Sequence, residues 1–217
     1  SSDWSSDVCS SDLALMIGSA GPAEALSTLI AGDEDRTPEL TRPAGEGILF
    51  VAGSASAVTR NQIDRMIRSF SPNTVTLDPA DLADSEQTEK RRMIARKAAE
   101  QLTRGPLVWR LSPSPSGKHH PPFSILIGLS DLIGRLLEVG VPDGLVLTGG
   151  ETARAALRAS GAFGFELQRE ILPGLVWGAV AGGRLEGRTI VTKAGAFGPP
   201  DAFTDLYSIL FHRRKLP

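Results

Sequence analysis

The stretch Leu145-Val-Leu-Thr-Gly149-Gly150-Glu151-Thr152, followed by Ala-Arg-Ala-Ala-Leu-Arg-Ala, constrains the fold of this chain more than any other. A short apolar run reads as a buried strand. Two glycines then allow a tight turn and let backbone N–H groups approach a ligand. The alanine-rich run consists of strong helix formers and predicts a helix starting near Glu151. A strand, a glycine turn and a helix start make a favourable place for phosphate, because unpaired N–H groups and the helix dipole point the same way. Taken alone, the pattern is more often an ordinary strand-to-helix turn. It is neither the GxxxxGK[ST] loop nor the GxGxxG fingerprint.

The chain before it repeats the same alternation. Ala14-Leu-Met-Ile-Gly-Ser-Ala-Gly21 reads as the end of a strand and a turn, with a helix from Pro22. Gly32–Gly45 is charged, rich in Pro and Gly and without period, and is the expected linker. Gly47–Ala52 is a strand, Gly53-Ser54-Ala55-Ser56 a turn, and a helix follows from about Val58, with Ile63, Met66, Ile67 and Phe70 on one face. The hydroxyls on that turn are candidates for capping the helix or for touching a ligand, and Ser54 and Ser56 are equal candidates. Thr74–Leu77 is a second strand. Pro79–Arg104 is expected to be mostly helical, with Arg91, Arg92, Arg96 and Lys97 on a solvated face. Leu107–Leu111 is a third strand. Ser112–Pro122 is a loop whose adjacent His119 and His120 lack further ligands at metal-site spacing, so no metal site is expected. Phe123–Val139 is a helix ended by Gly140.

Repeated β-α units imply a parallel sheet with helices on its faces, and ligands in such sheets collect beyond the carboxyl ends of the strands. Ser54, Ser56 and Gly149–Thr152 all fall at such ends. The pattern then changes. Phe165–Leu172, Gly174–Val180 and Thr189–Thr192 are strands without intervening helices, turned at Pro173-Gly174 and Gly182-Gly183. The fold class is therefore α/β, a parallel-sheet core with flanking helices and an added set of strands near the C-terminus. Lys193 could neutralise a phosphate, although taken alone it reads as an exposed lysine at a strand end. A last helix begins near Pro199-Pro200-Asp201, with Phe203, Leu206, Tyr207 and Leu210 facing inward.

Ser1–Leu13 has no period and is crowded with Ser and Asp. It resembles one reading frame of a common sequencing-adapter oligonucleotide, so it is expected to be non-native or disordered. It holds the single cysteine, Cys9, which leaves the rest without thiol chemistry. Setting it aside lowers Asp plus Glu from 25 to 22, against 23 Lys plus Arg. A near-neutral remainder offers no electrostatic reason to expect nucleic acid or an anionic membrane. No apolar run approaches the roughly 20 residues that span a bilayer. With 41% hydrophobic residues the chain can bury a core, and it reads as a cytoplasmic globular protein.

The GSAS turn with Thr59 and Gln62-Ile63 downstream, then LVLTGGET, EILPG and VTKAGAFGPPDA, resemble in order the four-carbon acid sugar kinases. The likeness is strongest over their C-terminal nucleotide-binding domain and runs from about Gly47 to Phe211. It implies ATP-dependent phosphorylation of threonate, erythronate or an oxo-tetronate, with Mg2+ bridging the phosphates. It carries the family's ATP-contacting positions onto Ser54, Gly149, Gly150, Glu151, Thr152 and Gly195. Ser56, Lys193 and Phe197 match the motifs less firmly. On this reading, 14–31 is a remnant of the N-terminal sugar-acid-binding domain, 32–46 the linker and 47–217 the nucleotide-binding domain. The family's acidic Asp-Asp motif has no match before Ala14. The expectation is therefore a chain that binds ATP without kinase turnover, its catalytic base lying outside it. Replacing Gly150 should remove the nucleotide site and stress the turn. The other reading is a non-catalytic α/β module that binds a phosphorylated metabolite or a partner protein through the same crevice.

Overall fold

The computed structural model describes residues 25–27, 29–30, 39–53, 56–113 and 121–212. Contacts divide the chain into two units, Ser1–Thr37 and Pro38–Pro217. In the first unit, residues 25–27 and 29–30 are helical. The strand end expected at Ala14–Ile17 lies outside the described residues, as do His119 and His120.

In the second unit, β1 (Ile48–Ala52) leads to α1 (Ala57–Phe70) and β2 (Asn73–Leu77). Two helices, α2 (Pro79–Ala83) and α3 (Thr88–Leu102), precede β3 (Leu107–Leu111). Helix α4 (Pro122–Val139), β4 (Gly144–Thr148) and α5 (Gly150–Ser160) follow. The chain closes with β5 (Gly164–Leu172), β6 (Leu175–Ala181), β7 (Thr189–Lys193) and α6 (Ala202–Phe211). The strands form one sheet in the order β2-β3-β1-β4-β7-β6-β5. The first five are parallel, and β6 and β5 add antiparallel at one edge. The α/β class read from the sequence is the observed one, with the Pro173-Gly174 turn marking the antiparallel hairpin.

Every residue of β1 and β4 is buried, which is why both read as uninterrupted apolar runs rather than alternating ones. Helices α2 to α5 pack on one face of the sheet, against Leu49, Trp109, Leu145 and Leu147. Helices α1 and α6 pack on the other, against Phe50, Val146 and Val191. There the Phe70 and Tyr207 rings stack with centroids 4.3 Å apart.

Pro79–Arg104 is mostly helical as expected, divided into two helices. Asp78 caps the first by accepting from the Ala80 N–H at 2.9 Å, and Asp84 accepts from the Glu86 N–H at 2.9 Å, which draws the backbone out of the helix. One expectation needs correction: Arg91, expected on a solvated face, is 4% exposed. Its guanidinium donates to the Asp131 carboxylate at 2.7 Å and to the carbonyls of Asp81 and Asp84 at 3.0 and 2.7 Å. It thereby satisfies carbonyls at the end of α2 while pairing with α4, which makes burial of a cation tolerable. Arg92, Arg96 and Lys97 are exposed as expected.

Within the stretch expected to be a linker, Thr41 is held firmly. Its carbonyl accepts from Trp177 Nε1 at 2.9 Å and from Thr189 Oγ1 at 2.7 Å, and its N–H donates to Gln168 Oε1 at 2.8 Å.

Candidate functional site

The sheet order places β1, β4 and β7 side by side, and the register aligns their last residues: Ala52 with Thr148, and Thr148 with Lys193. The turns that follow these strands emerge together at one end of the sheet. The chain then diverges. From β1 it enters α1 on one face, and from β4 it enters α5 on the opposite face. Adjacent parallel strands whose helices part to opposite faces open a crevice beyond the strand ends, the position where α/β sheets take their ligands.

Gly149 has φ +86°, a conformation that costs a residue with a Cβ atom and suits glycine. Its N–H donates to the Lys193 carbonyl at 2.8 Å, and its carbonyl accepts from the Ala153 N–H at 3.1 Å. The Gly149 donor is therefore engaged in tying the turn to β7. The N–H groups of Gly150, Glu151 and Thr152 belong to the first turn of α5 and have no intrahelical acceptor. A Cβ on Gly150 would meet nothing within 4 Å. Replacing Gly150 therefore does not stress the turn, contrary to expectation; the strained position is Gly149.

Across the crevice, a Cβ on Gly53 would strike Oγ1 of Thr152, a residue only 2% exposed. Gly53 and Thr152 are therefore packed against each other, with glycine at 53 allowing the approach. Ser54 lies outside the described residues. Ser56 stands at the N-cap position of α1 but makes no side-chain capping bond there.

The segment after β7 closes the third side. Thr59 of α1 donates to the Gly195 carbonyl, and Gln62 Nε2 donates toward the carbonyls of Phe197, Gly198 and Pro199. From the other direction the EILPG turn contributes. The Gly174 carbonyl accepts from the Ala194 N–H at 3.1 Å, and a Cβ on Gly174 would come within 3.3 Å of Phe197 Cβ. The four stretches that carry the family resemblance thus meet around one end of the sheet. Phe197 itself is 66% exposed.

Lys193 is not the exposed strand-end lysine its sequence context suggests. It is 2% exposed, with Nζ 2.8 Å from the Ala194 carbonyl and 5.9 Å from the Phe203 ring centroid. Burial pushes its pKa below the ordinary 10.5. Side chains alternate along β7, and this places the lysine on the α6 face, under the loop that follows it. Beside it in register, Thr148 is 1% exposed and its Oγ1 has no hydrogen-bond partner. Sequence reading passed over Thr148. A polar residue ending an otherwise apolar strand, just before the glycines, was the available signal.

On the flank of α5 a cleft of about 670 Å³ runs from Gly149 and Gly150 along Ala153 and Leu157 to Phe165. Among the described residues no group of three or more His, Cys, Asp or Glu is placed to hold a metal ion, and no helix is long and apolar enough to cross a membrane.

A mostly parallel sheet with helices on both faces, diverging at a glycine turn, defines an α/β domain of the doubly wound kind. The family described as nucleotide-binding C-terminal domain matches residues 49–203. D-threonate kinase of Salmonella typhimurium is 28% identical over 214 residues, covering 90% of this chain and 48% of that protein. D-erythronate kinase of Heliobacterium modesticaldum is 25% identical over 183 residues, covering 76% and 42%. Among solved structures, a domain of unknown function from Bordetella bronchiseptica, with bound citrate and described as a domain-swapped dimer, is similar with a TM-score of 0.64. It is 27% identical, covering 77% of this chain and 42% of that one. A Haemophilus influenzae protein with a TM-score of 0.66 and 21% identity, covering 89% and 47%, shares the fold. The chain belongs to the four-carbon acid sugar kinase family, through that family's C-terminal nucleotide-binding domain. It spans about half the length of the curated relatives it matches.

Proposed function

We propose that this domain binds ATP with Mg2+ at the carboxyl ends of β1, β4 and β7, and that it serves a kinase acting on a four-carbon sugar acid of the threonate, erythronate or oxo-tetronate type. The observation that carries this reading is the divergence of α1 and α5 from adjacent strands, with three glycine-bearing turns meeting where they part. The N–H groups of Gly150, Glu151 and Thr152 are the donors for phosphate oxygens, aided by the positive end of α5. Gly149 sets the turn, and Gly195, clamped by Thr59, lets the nucleotide approach the backbone. Ser54, matched by the family resemblance, is the hydroxyl candidate for the nucleotide. The buried, unpartnered hydroxyl of Thr148 beneath the turn fits a site that a polar ligand completes. Bound with the nucleotide, a magnesium ion would be held chiefly through the phosphates and would supply charge neutralisation there.

Phosphoryl transfer also needs an aligned acceptor and a route for its proton. The curated kinases are about twice as long as this chain, and we propose that the 217-residue chain binds nucleotide without turning over. Its setting would be the cytoplasm, its partners the nucleotide and, in the whole kinase, the sugar acid.

Isothermal titration with MgATP tests the first part. Saturable, magnesium-dependent binding is expected, and Gly150→Leu should abolish it while leaving the unfolding midpoint unchanged, since its Cβ points into open space. A folded wild-type chain that does not bind MgATP would overturn the reading. Incubation with D-threonate or D-erythronate and ATP tests the second part: no product is expected, and measurable phosphorylation would contradict it.

A further inference from the structure

We propose that the cleft on the flank of α5 receives the base and ribose of the nucleotide, a placement that rests on the nucleotide reading above. The β5–β6 hairpin extends the sheet beyond β7, and on this face α5 is the last α-helix to cover it, with only the short 3-10 turn Gly183–Leu185 packed beside it. The uncovered strip between α5 and the hairpin forms a cleft of about 670 Å³, within the usual range of about 300–1,000 Å³ for small-molecule sites. One end is closed by Gly149 and Gly150, whose neighbouring N–H groups are the phosphate donors. A nucleotide with its phosphates on the α5 start therefore has one continuous path for the rest of the molecule.

The chemistry of the lining suits a flat, largely apolar ring. Ala153 and Leu157 line it from α5, Ala162 from the turn that ends α5, and Phe165 from β5. Leu157, Ala162 and Phe165 are only partly buried and pack against the core beneath, so they present apolar surface to the cleft without moving. Phe165 offers an aromatic face. Arg154 and Arg158 stand at the rim, where a guanidinium can lie against a base or meet phosphate and ribose oxygens. Among the described lining residues there is no Asp or Glu. At the rim the Glu151 carboxylate is paired with Arg154 at 2.5 Å, which leaves Arg158 as the rim cation with no carboxylate partner among the described residues.

Two probes, MgATP and magnesium tripolyphosphate, separate the base from the phosphates. Both are titrated into the full chain, into Ala162→Trp, which fills the cleft, and into Phe165→Ala, which removes a wall. Circular dichroism melts accompany each variant. Wild type is expected to bind both probes. The variants should bind MgATP more weakly by at least about tenfold, a change of about 1.4 kcal/mol, while their tripolyphosphate affinity stays within about twofold. If Ala162→Trp does not fold, Phe165→Ala is read by the same criterion. Unchanged MgATP affinity in folded variants overturns the cleft assignment and leaves the nucleotide reading standing. Parallel loss of both probes in a folded variant also overturns it, because the effect then lies at the phosphates. Failure of wild type to bind either probe overturns the nucleotide reading and the cleft assignment together.

Discussion

The side-chain amide of Gln62, on α1, lies 2.8 Å from the carbonyl of Pro199, on the loop after β7. The same nitrogen is 3.1 Å from the Gly198 carbonyl and 3.2 Å from that of Phe197. Gln62 is 1% exposed, so these carbonyls have a buried donor at the centre of a loop that the sequence alone leaves floating. Gln62→Ala should lower unfolding free energy by about 1–2 kcal/mol, the scale of a buried polar group losing its partner. Gln62→Glu should be worse, since a carboxylate cannot donate and would face three carbonyl oxygens. Urea unfolding of the three chains checks this. If Gln62→Glu is as stable as wild type, the clamp has no energetic role.

The packing of Gly53 on Thr152 predicts a coupled pair. Gly53→Ala should destabilise by about 1–3 kcal/mol, the usual range for overpacking a tight contact. Thr152→Ala removes the atoms that the new methyl would strike. The double variant should therefore lose less than the two single changes added together. Strict additivity in a double-mutant cycle would show that the two residues are not in contact.

Lys193 predicts an unusual pH dependence. Its folded pKa lies below 10.5 because burial disfavours the ammonium. The unfolded chain therefore holds that proton more tightly than the folded one. The charged lysine detracts from stability at neutral pH, and the penalty fades as pH rises through the folded value toward 10.5. Lys193→Met should be at least as stable as wild type at pH 7. Its advantage should shrink as pH is raised toward 10.5. Urea midpoints for both chains across that range decide the matter; an advantage that grows with pH would contradict the burial of the charge.

Asp131 predicts the opposite trend at acid pH. Burial pushes its carboxyl up, but hydrogen bonds from Arg135 and Arg91, with their charges, outweigh this and hold it below the ordinary 3.8. The Asp131 contribution is complete above that value and is lost as pH falls through the lowered folded value. Asp131→Asn leaves Arg91 buried beside a neutral amide and should cost about 2–4 kcal/mol at pH 7. The gap from wild type should narrow in urea titrations below about pH 4, where the carboxyl of the unfolded chain begins to take up a proton while the folded one still resists it. A gap independent of pH would remove the carboxylate from the account.

Much of the architecture is legible in the residues because it depends on local causes. Uninterrupted apolar runs mark β1 and β4, three-and-four spacing marks α1 and α6, and Pro173-Gly174 marks the hairpin. The glycine pairs locate the turns that meet at the carboxyl ends. The order of strands is not legible in this way, since a parallel strand can pair with any neighbour that its crossover reaches. Nor is the state of a charged side chain. Arg91 and Lys193 look like surface cations in sequence, and both are buried by partners that local sequence does not show: Arg91 by Asp131 forty residues on, and Lys193, whose ammonium meets the neighbouring Ala194 carbonyl, by the Phe203 ring of α6 and a loop held by α1.

The sequence by itself determined the elements, their alternation, the glycine turn at Gly149-Gly150 and the family, because periodicity, turn chemistry and ordered motifs are properties of neighbouring residues. Tertiary structure alone decided that β1, β4 and β7 lie side by side, that Gly53 touches Thr152, that the Gly149 N–H is already engaged and that Gly150 is sterically open. Each of these depends on distances between segments about 40 to 140 residues apart, which only the packing of the sheet and its helices sets.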